Sequence, residues 1–444
     1  MTSPQDVILF YTPYSIYMLL DRTIAPPFQV IRHINLPAVE TLVLDNGLPL
    51  HIINIGDQPI VRLECLFEAG TWYESTPGAS YFATKMLPEG TSTRTSAEIS
   101  EAFDRVGAFT EMSHTSDRSG IVVFCLARFL PQVLPIVQDL IADATFPEKE
   151  WNDLRNITLQ NHRVNWEKNA FRATTHFREA LFGTKHPYGR RRDEEQITSL
   201  TKEAAFSHYT SQIQHAQYRL VMAGKVGREE IEVVNAFLGK GASLTDTEQS
   251  APTYLPDPAD EKIILIERPE SLQSSIRFGK RLFTRHHPDY YKMLVTNEIL
   301  GGYFGSRLMK NIREEKGLTY GISSNVSTLR HEGYFMIGTD VKKEFTQQTL
   351  DEIRKEIHLL QTVPVSDDEL QTVKNFMAGE FAGSLSTAFD VADRQKILIM
   401  DGLPFDFFDR YIDQIHATSA EDIMRLAQTH LALDTMTEVV VGGR

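Results

Sequence analysis

The sequence has few cysteines and no long apolar run. Only Cys65 and Cys125 occur among 444 residues, which excludes a disulfide scaffold and any cysteine-rich zinc module. The stretch Val7–Leu20 is interrupted by Pro13 and falls short of the roughly 20 apolar residues that a membrane-spanning helix needs. It follows no basic segment and precedes no small-residue cleavage site, so we expect a cytoplasmic protein without a stable membrane span. An export signal at residues 7–20, with a periplasmic location, stays open.

Positive charge is also in deficit. Lys and Arg number 45 and Asp and Glu number 59, which gives a net charge of −14. Such a surface repels phosphate backbones, so we expect no nucleic-acid partner, although a local basic cleft stays open. Hydrophobic residues make up 42% of the chain and charged residues 23%, which is typical of a globular protein with a substantial core. The length predicts about two to three domains.

Hydrophobic periodicity predicts the same succession of elements twice. Each half reads as two strands, two helices, two strands, a run of helices and a final strand. An internal repeat of about 200 residues with this order favours two α+β lobes, with helices on one face of each sheet. A proline-containing segment without apolar periodicity separates them. The predicted parts are an N-terminal extension at 1–47, a first lobe at 48–244, a linker at 245–261 and a second lobe at 262–444.

Several short motifs in both halves carry a resemblance to a known family. They are FEAGTWYE at 67–74, MLPEGT at 86–91, LFG at 181–183, HPYG at 186–189, GGYFGSRL at 301–308 and IREEKGLTYG at 312–321. From about Leu48 to Val441 the chain resembles the M16 peptidases, the group of pitrilysin, insulysin and the mitochondrial processing peptidase. The resemblance implies two homologous lobes, each a mostly antiparallel sheet covered by helices, joined by a linker.

Active members of that family carry an H-x-x-E-H motif on the first helix of the first lobe. Its two histidines lie on one helical face and bind zinc, and its glutamate acts as general base. Here the three positions hold Tyr81, Thr84 and Lys85, and the family spacing puts the third ligand at about Gln160, give or take one residue. None of these four side chains is a zinc ligand at neutral pH. We therefore expect no metal and no other cofactor in this chain.

The second half matches the family at a different pair of residues. In active members an arginine and a tyrosine of the second lobe face the zinc site and hold the substrate carbonyl and the developing oxyanion. Arg313 and Tyr320 match these positions, and a guanidinium and a phenol suit those tasks. Without the resemblance, the simpler interpretation is that Arg313 pairs with Glu314 or Glu315 on a solvated helix and that Tyr320 begins a core strand.

The resemblance implies a zinc-less subunit of a heterodimeric M16 endopeptidase, inactive alone. It would place Arg313 and Tyr320 opposite the zinc of a homologous partner subunit. An unfolded peptide substrate would bind by strand addition, for which the equivalent sheet edge is Gly107–His114. Two alternatives stay open. One is a structural scaffold without a proteolytic role, and the other is a self-associating pseudo-peptidase, a homodimer that holds peptides without cutting them.

Overall fold

The computed structural model describes residue 23 and residues 30–240 and 252–443. Residues 7–20, considered above as an export signal, lie outside the described residues, as do residues 245–251 of the predicted linker. Throughout the described ranges, no helix combines the length and the apolarity that a bilayer crossing requires.

A six-stranded sheet forms the centre of the first lobe in the part of the chain that the structure describes. Its strands are β1 (Glu40–Val43), β2 (Pro49–Asn54), β3 (Ile60–Phe67), β4 (Phe109–His114), β5 (Ser119–Leu126) and β6 (Tyr218–Gly224). Their order is β1-β2-β6-β3-β5-β4, and every neighbouring pair is antiparallel except β2 with β6. Strand β1 falls within the predicted extension 1–47, so the sheet begins before residue 48.

The helices of the first lobe lie mostly between β3 and β6 in sequence. They are α1 (Ala79–Met86), α2 (Ser96–Arg105), α3 (Leu130–Ala142), α4 (Glu148–Trp166), α5 (Asn169–Phe182), α6 (Glu194–Ser199), α7 (Lys202–Tyr209) and α8 (Arg228–Leu238). One face of the sheet and the apolar sides of α1, α3 and α7 enclose the large core of this lobe.

The second lobe repeats this arrangement. Its sheet has the order β7-β11-β8-β10-β9, which matches β2-β6-β3-β5-β4, and its single parallel pair among the described strands, β7 with β11, corresponds to β2 with β6. The strands are β7 (Ile263–Glu267), β8 (Gln273–Leu282), β9 (Thr319–Thr328), β10 (Gly333–Lys342) and β11 (Thr437–Gly442). The helices are α9 (Tyr290–Asn297), α10 (Thr346–Thr362), α11 (Asp367–Gly383), α12 (Ala388–Asp401), α13 (Asp409–Ala417) and α14 (Ala420–His430). This confirms the predicted α+β fold of two repeated, mostly antiparallel lobes.

Helix α5 of the first lobe covers the outer face of the second sheet. Phe177 and Leu181 are buried in one apolar cluster with Val439 and Val441 of β11. Because side chains alternate between the two faces of a strand, Val440 points the other way, into the core of the second lobe. Strand β11 is therefore apolar on both faces.

Helix α12 of the second lobe covers the outer face of the first sheet in the same manner. Val391 and Ala392 pack with Ile53 and Val221. Next to them, Arg62 of β3 forms an ion pair at 2.9 Å with Asp393 of α12, and Lys396 pairs at 2.8 Å with the buried Glu64. Each sheet thus receives its second cover from the other lobe.

We predict that Phe177→Ala destabilises the whole chain. Phe177 is fully buried between the lobes, and truncating a buried phenylalanine costs about 3–5 kcal/mol of unfolding free energy. Phe171→Ala is the matched control on the same helix, because Phe171 is 38% exposed, and its cost should stay below about 1 kcal/mol. Urea denaturation of both variants measures the difference, and equal costs would contradict the packing role of α5.

Candidate functional site

Helix α1 carries the positions of the degenerate metal motif, and they point in different directions. Thr84 is fully buried and donates to the Ser119 hydroxyl at 2.7 Å. The Lys85 ammonium donates to the carbonyl of Met112 in β4 at 2.6 Å. Tyr81 alone of the three faces an open cavity. Two of the three side chains are therefore engaged in holding α1 to the sheet.

The surroundings of Tyr81 are cationic. The Arg192 guanidinium carbon lies 4.0 Å from the centroid of the Tyr81 ring, and His114 meets that ring edge-on at 5.7 Å. A phenol, the Thr84 hydroxyl and the Lys85 ammonium do not form a zinc ligand set. Among the described residues, no group of three or more His, Cys, Asp or Glu side chains is placed to hold a metal ion. The residues present do not fit zinc, and we assign no step through it to this chain.

Helix α4 contributes the wall opposite α1. The position expected from the sequence was Gln160, give or take one residue, and the residues around it differ in whether they line the cavity. Gln160 is exposed and does not line the cavity, whereas Asn161 and His162 do. His162 stacks on Trp166 with their ring centroids 5.5 Å apart. The structure therefore brings Tyr81 together with Asn161 and His162, and it leaves Gln160 outside.

The cavity between α1, α4 and α5 has a volume of about 580 Å³. Its charged wall residues are four arginines and one glutamate. That glutamate, Glu74, is buried, accepts from the backbone N–H and the hydroxyl of Ser80 and pairs with Arg190 at 3.3 Å. The arginines are Arg178, Arg190, Arg191 and Arg192.

Sequence reasoning did not find this basic cavity. Three of its arginines are consecutive, at 190–192, directly after the HPYG motif, so the available signal was a local run of positive charge in an acidic chain. The fourth, Arg178, lies on α5 and is brought in only by the fold.

Two histidines next to α1, the partly buried His114 and the buried His208, stay neutral at physiological pH. Burial, followed by the nearby Arg192 charge, lowers the pKa of His114 to about 3, and its Nε2 lies 2.9 Å from the Ser80 hydroxyl. Burial also lowers the pKa of His208 to about 4. Protonation of either ring would add a further buried positive charge to an already cationic region.

In the matching pair of the second lobe, Tyr320 is exposed and Arg313 is partly buried. Tyr320 lies near the start of the edge strand β9 and its residue surface is 92% exposed. Arg313 lies in a π-helical turn, Met309–Glu315, and its guanidinium carbon is 5.6 Å from the Tyr320 ring centroid and 4.6 Å from that of Phe304. Within the described ranges, no carboxylate lies within 4.0 Å of the Arg313 guanidinium. The pair is thus neither tied to an acidic neighbour nor buried in the core.

A β-bulge explains the exposure of Tyr320. Ile322 of β9 pairs with Thr339 of β10 and Thr319 pairs with Val341, so Tyr320 and its neighbour lie opposite a single residue. Ile322 is buried, and strict alternation would bury Tyr320 as well. The extra residue breaks the alternation and turns the phenol outward, as bulges do where a side chain is re-aimed.

The two candidate regions are neighbours on the molecule. A groove of about 680 Å³ runs beside Tyr320, and Thr174 of α5 lines both this groove and the arginine-lined cavity. Strand β4, which covers most of the expected peptide-binding edge at Gly107–His114, is the edge strand of the first sheet and corresponds to β9 in the second.

The matching strand orders of the two sheets define a protein of two repeated α+β lobes. A family model described as "Insulinase (Peptidase family M16)" matches residues 52–190, and one described as "Peptidase M16 inactive domain" matches residues 199–377. The chain belongs to the M16 peptidase family, which confirms the resemblance found in the sequence.

Relatives and solved structures agree with this assignment. The chain is 24% identical over 398 residues to the "Uncharacterized zinc protease YmxG" of Bacillus subtilis, covering 88% of this chain and 95% of that protein. It is 22% identical to the "Probable inactive metalloprotease YmfF" of the same species, over 54% of this chain and 55% of that protein. The peptidase M16 inactive domain from Pseudomonas fluorescens has the same fold, with a TM-score of 0.81 at 24% identity over 91% of this chain and 98% of that one.

We predict that the isolated chain binds no stoichiometric zinc. The positions of the family motif hold a phenol, a buried hydroxyl and an ammonium, so no ligand set is formed. Metal analysis after dialysis against a zinc-containing buffer should give far less than one zinc per chain. One tightly held zinc per chain would contradict the loss of the site.

We also predict that His208 makes the protein sensitive to acid. Its pKa is about 4 in the folded chain against 6.5 as the ordinary value, so the unfolded chain takes up the proton first and stability falls as the pH drops from 6.5 towards 4. At pH 5 this loss is about 2 kcal/mol. Between pH 7.5 and pH 5, His208→Gln should therefore lose about 2 kcal/mol less unfolding free energy than the wild type in urea titrations. Equal losses in both proteins would exclude this role of His208.

Proposed function

We propose that this chain is the zinc-less subunit of a two-subunit M16 endopeptidase. The observation that carries the proposal is the Arg313–Tyr320 pair. Tyr320 is exposed on a sheet edge, and the partly buried Arg313 beside it has no carboxylate within 4.0 Å among the described residues. A guanidinium without a carboxylate partner in its own chain, next to an exposed phenol, is available to a second molecule. The cytoplasm is the compartment that we expect for the complex.

In this proposal the two side chains act on the peptide opposite the partner's metal site. The Arg313 guanidinium offers several donors to a carbonyl or carboxylate oxygen. The Tyr320 phenol donates one hydrogen bond, which is strongest where negative charge develops in the transition state. The unpaired edges of β4 and β9 would hold the peptide backbone by strand addition.

A second candidate function is that of a peptide-binding pseudo-peptidase without a proteolytic role, as a homodimer or a scaffold. The observation that favours it is the arginine-lined cavity at the degenerate metal position, because a cavity of about 580 Å³ is large enough for ligand binding. The two functions make different predictions for Tyr320. The zinc-less subunit needs the Tyr320 phenol for peptide cleavage by the complex, whereas the pseudo-peptidase does not.

We predict that Tyr320→Phe lowers kcat about 100-fold or more in a complex with a zinc-bearing M16 subunit. The substitution removes one oxyanion donor and little volume, and such a donor contributes about 3 kcal/mol to transition-state stabilisation. Arg313→Ala should raise KM and lower kcat, because a guanidinium also binds the ground-state carbonyl. Steady-state peptide cleavage measures both effects.

Tyr334→Phe is the matched control, since it removes a phenol hydroxyl from β10 of the same sheet, next to the other lobe. Its kcat should stay close to that of the wild type. Gel filtration should show that all variants still assemble. Wild-type turnover in an assembled Tyr320→Phe complex would remove the catalytic role and favour the pseudo-peptidase.

A further inference from the structure

Two arginines of the cavity lack the partners that the other two have. Arg190 pairs with Glu74, and Arg191 lies 3.6 Å from a carboxylate oxygen of Glu179. For Arg178 and Arg192, the described residues provide neither a carboxylate within 4.0 Å nor a hydrogen-bond acceptor, and the Nε atom of Arg178 is buried without a partner. The cavity therefore contains two guanidinium groups without an ion-pair or hydrogen-bond partner among the described residues.

A third polar group in the same cavity is also without a partner. Thr158 lies on α4, lines the cavity and is only 6% exposed, and its hydroxyl oxygen is buried with no hydrogen bond. The great majority of buried hydroxyl groups in proteins form a hydrogen bond, and each exception calls for a specific cause. An unpaired hydroxyl on the wall opposite α1 and two unpaired guanidinium groups together indicate a missing ligand.

The chemistry of these groups defines the ligand. Guanidinium groups only donate hydrogen bonds, and a threonine hydroxyl can donate as well. An acceptor-only, negatively charged group satisfies all of them, and planar oxyanions match the guanidinium fork best. The single carboxylate on the described cavity wall, Glu74, already accepts from Ser80 and pairs with Arg190. We propose that this cavity is an oxyanion-binding site, which takes the carboxylate or phosphate group of a ligand between Arg178, Arg192 and Thr158.

The side chains around the cavity offset only part of the positive charge of its arginines. Arg192 is half-buried and contacts the face of the Tyr81 ring, but a cation–π contact does not replace a counter-ion. Burial lowers the pKa of Arg192, consistent with this deficit. The chain as a whole carries a charge of −14, so a cavity with four arginines and one glutamate departs from the general charge of the molecule.

This site lies where active relatives of the family bind their metal. In this chain an anion site therefore takes the place of a cation site. The replacement follows from Tyr81 and Arg192 at that position. The proposal does not depend on the catalytic role of Arg313 and Tyr320, which belong to the other lobe. Tyr320→Phe should leave anion binding unchanged.

Calorimetric titration of the full chain with inorganic pyrophosphate at low ionic strength tests the proposal. We expect saturable binding of one anion per chain, weakened by added sodium chloride. Arg192→Gln and Arg178→Gln should each weaken it at least about tenfold, the effect of losing a charge-assisted hydrogen bond. Arg105→Gln is the matched control, because Arg105 is an exposed arginine paired with Glu101 on α2, and it should bind as the wild type does.

Thermal unfolding gives a readout that a purely structural role would not move. Pyrophosphate should raise the Tm of the wild type and of Arg105→Gln, because a ligand that binds only the folded state stabilises it. In Arg192→Gln the rise should be much smaller at the same pyrophosphate concentration, while the Tm without ligand should be equal or higher, since one of four neighbouring positive charges is removed. Thr158→Val should keep the fold, lose an unsatisfied hydroxyl and bind pyrophosphate several-fold more weakly.

Competition identifies the source of the oxyanion. A glutamate-rich peptide that displaces pyrophosphate, where its glutamine counterpart does not, assigns the site to carboxylates of polypeptides. Displacement by phosphorylated metabolites alone assigns it to small phosphate esters. Either result supports the proposal. Absence of binding, or binding that is equal in Arg192→Gln, Arg178→Gln and Arg105→Gln, overturns it.

Discussion

The exchange of helices between the two lobes is the constraint on which the rest of the structure depends. The central strands β6 and β11 are apolar on both faces, so each sheet has to be covered twice. The lobe's own helices cover one face, and α5 or α12 of the other lobe covers the second. The buried Arg62 and Glu64 add charged contacts across the same boundary, with Asp393 and Lys396 respectively. The two lobes of one chain are therefore held as a unit.

Helix α5 connects this packing to the candidate site. Ala173, Phe177 and Leu181 repeat every four residues and face the second sheet, whereas Thr174 and Arg178 lie one position further round the helix and line the cavity. The interface therefore fixes the position of Arg178, and Thr174 borders both the cavity and the groove beside Tyr320. In this M16 fold the arginine-lined cavity beside Tyr81 and the groove beside the Arg313–Tyr320 pair are thus neighbours.

Much of this was predictable from the residues, and the parts that were not have physical reasons. The repeat of strands and helices follows from hydrophobic periodicity, and the absence of ligands follows from the identities of Tyr81, Thr84 and Lys85. Gln160 illustrates a limit, because a shift of one residue on a helix turns a side chain by about 100°, which separates it from the cavity-lining Asn161. The outward turn of Tyr320 depends on a bulge in its pairing with β10, and strand alternation alone predicts the opposite. The fold brings Arg178 of α5 into one cavity with the consecutive arginines 190–192, and such an approach of separate segments leaves no local pattern in the sequence.

The central claim is that this chain lacks the metal half of an M16 site and provides the arginine–tyrosine half. Mixing it with a zinc-bearing M16 chain and measuring peptide cleavage by each chain alone and by the pair tests this claim most directly. If this chain is the zinc-less subunit, we expect no turnover by this chain alone and turnover by the pair that far exceeds that of the zinc-bearing chain. Chelator-sensitive cleavage by this chain alone, or a zinc-bearing chain that is equally active without it, would contradict this role.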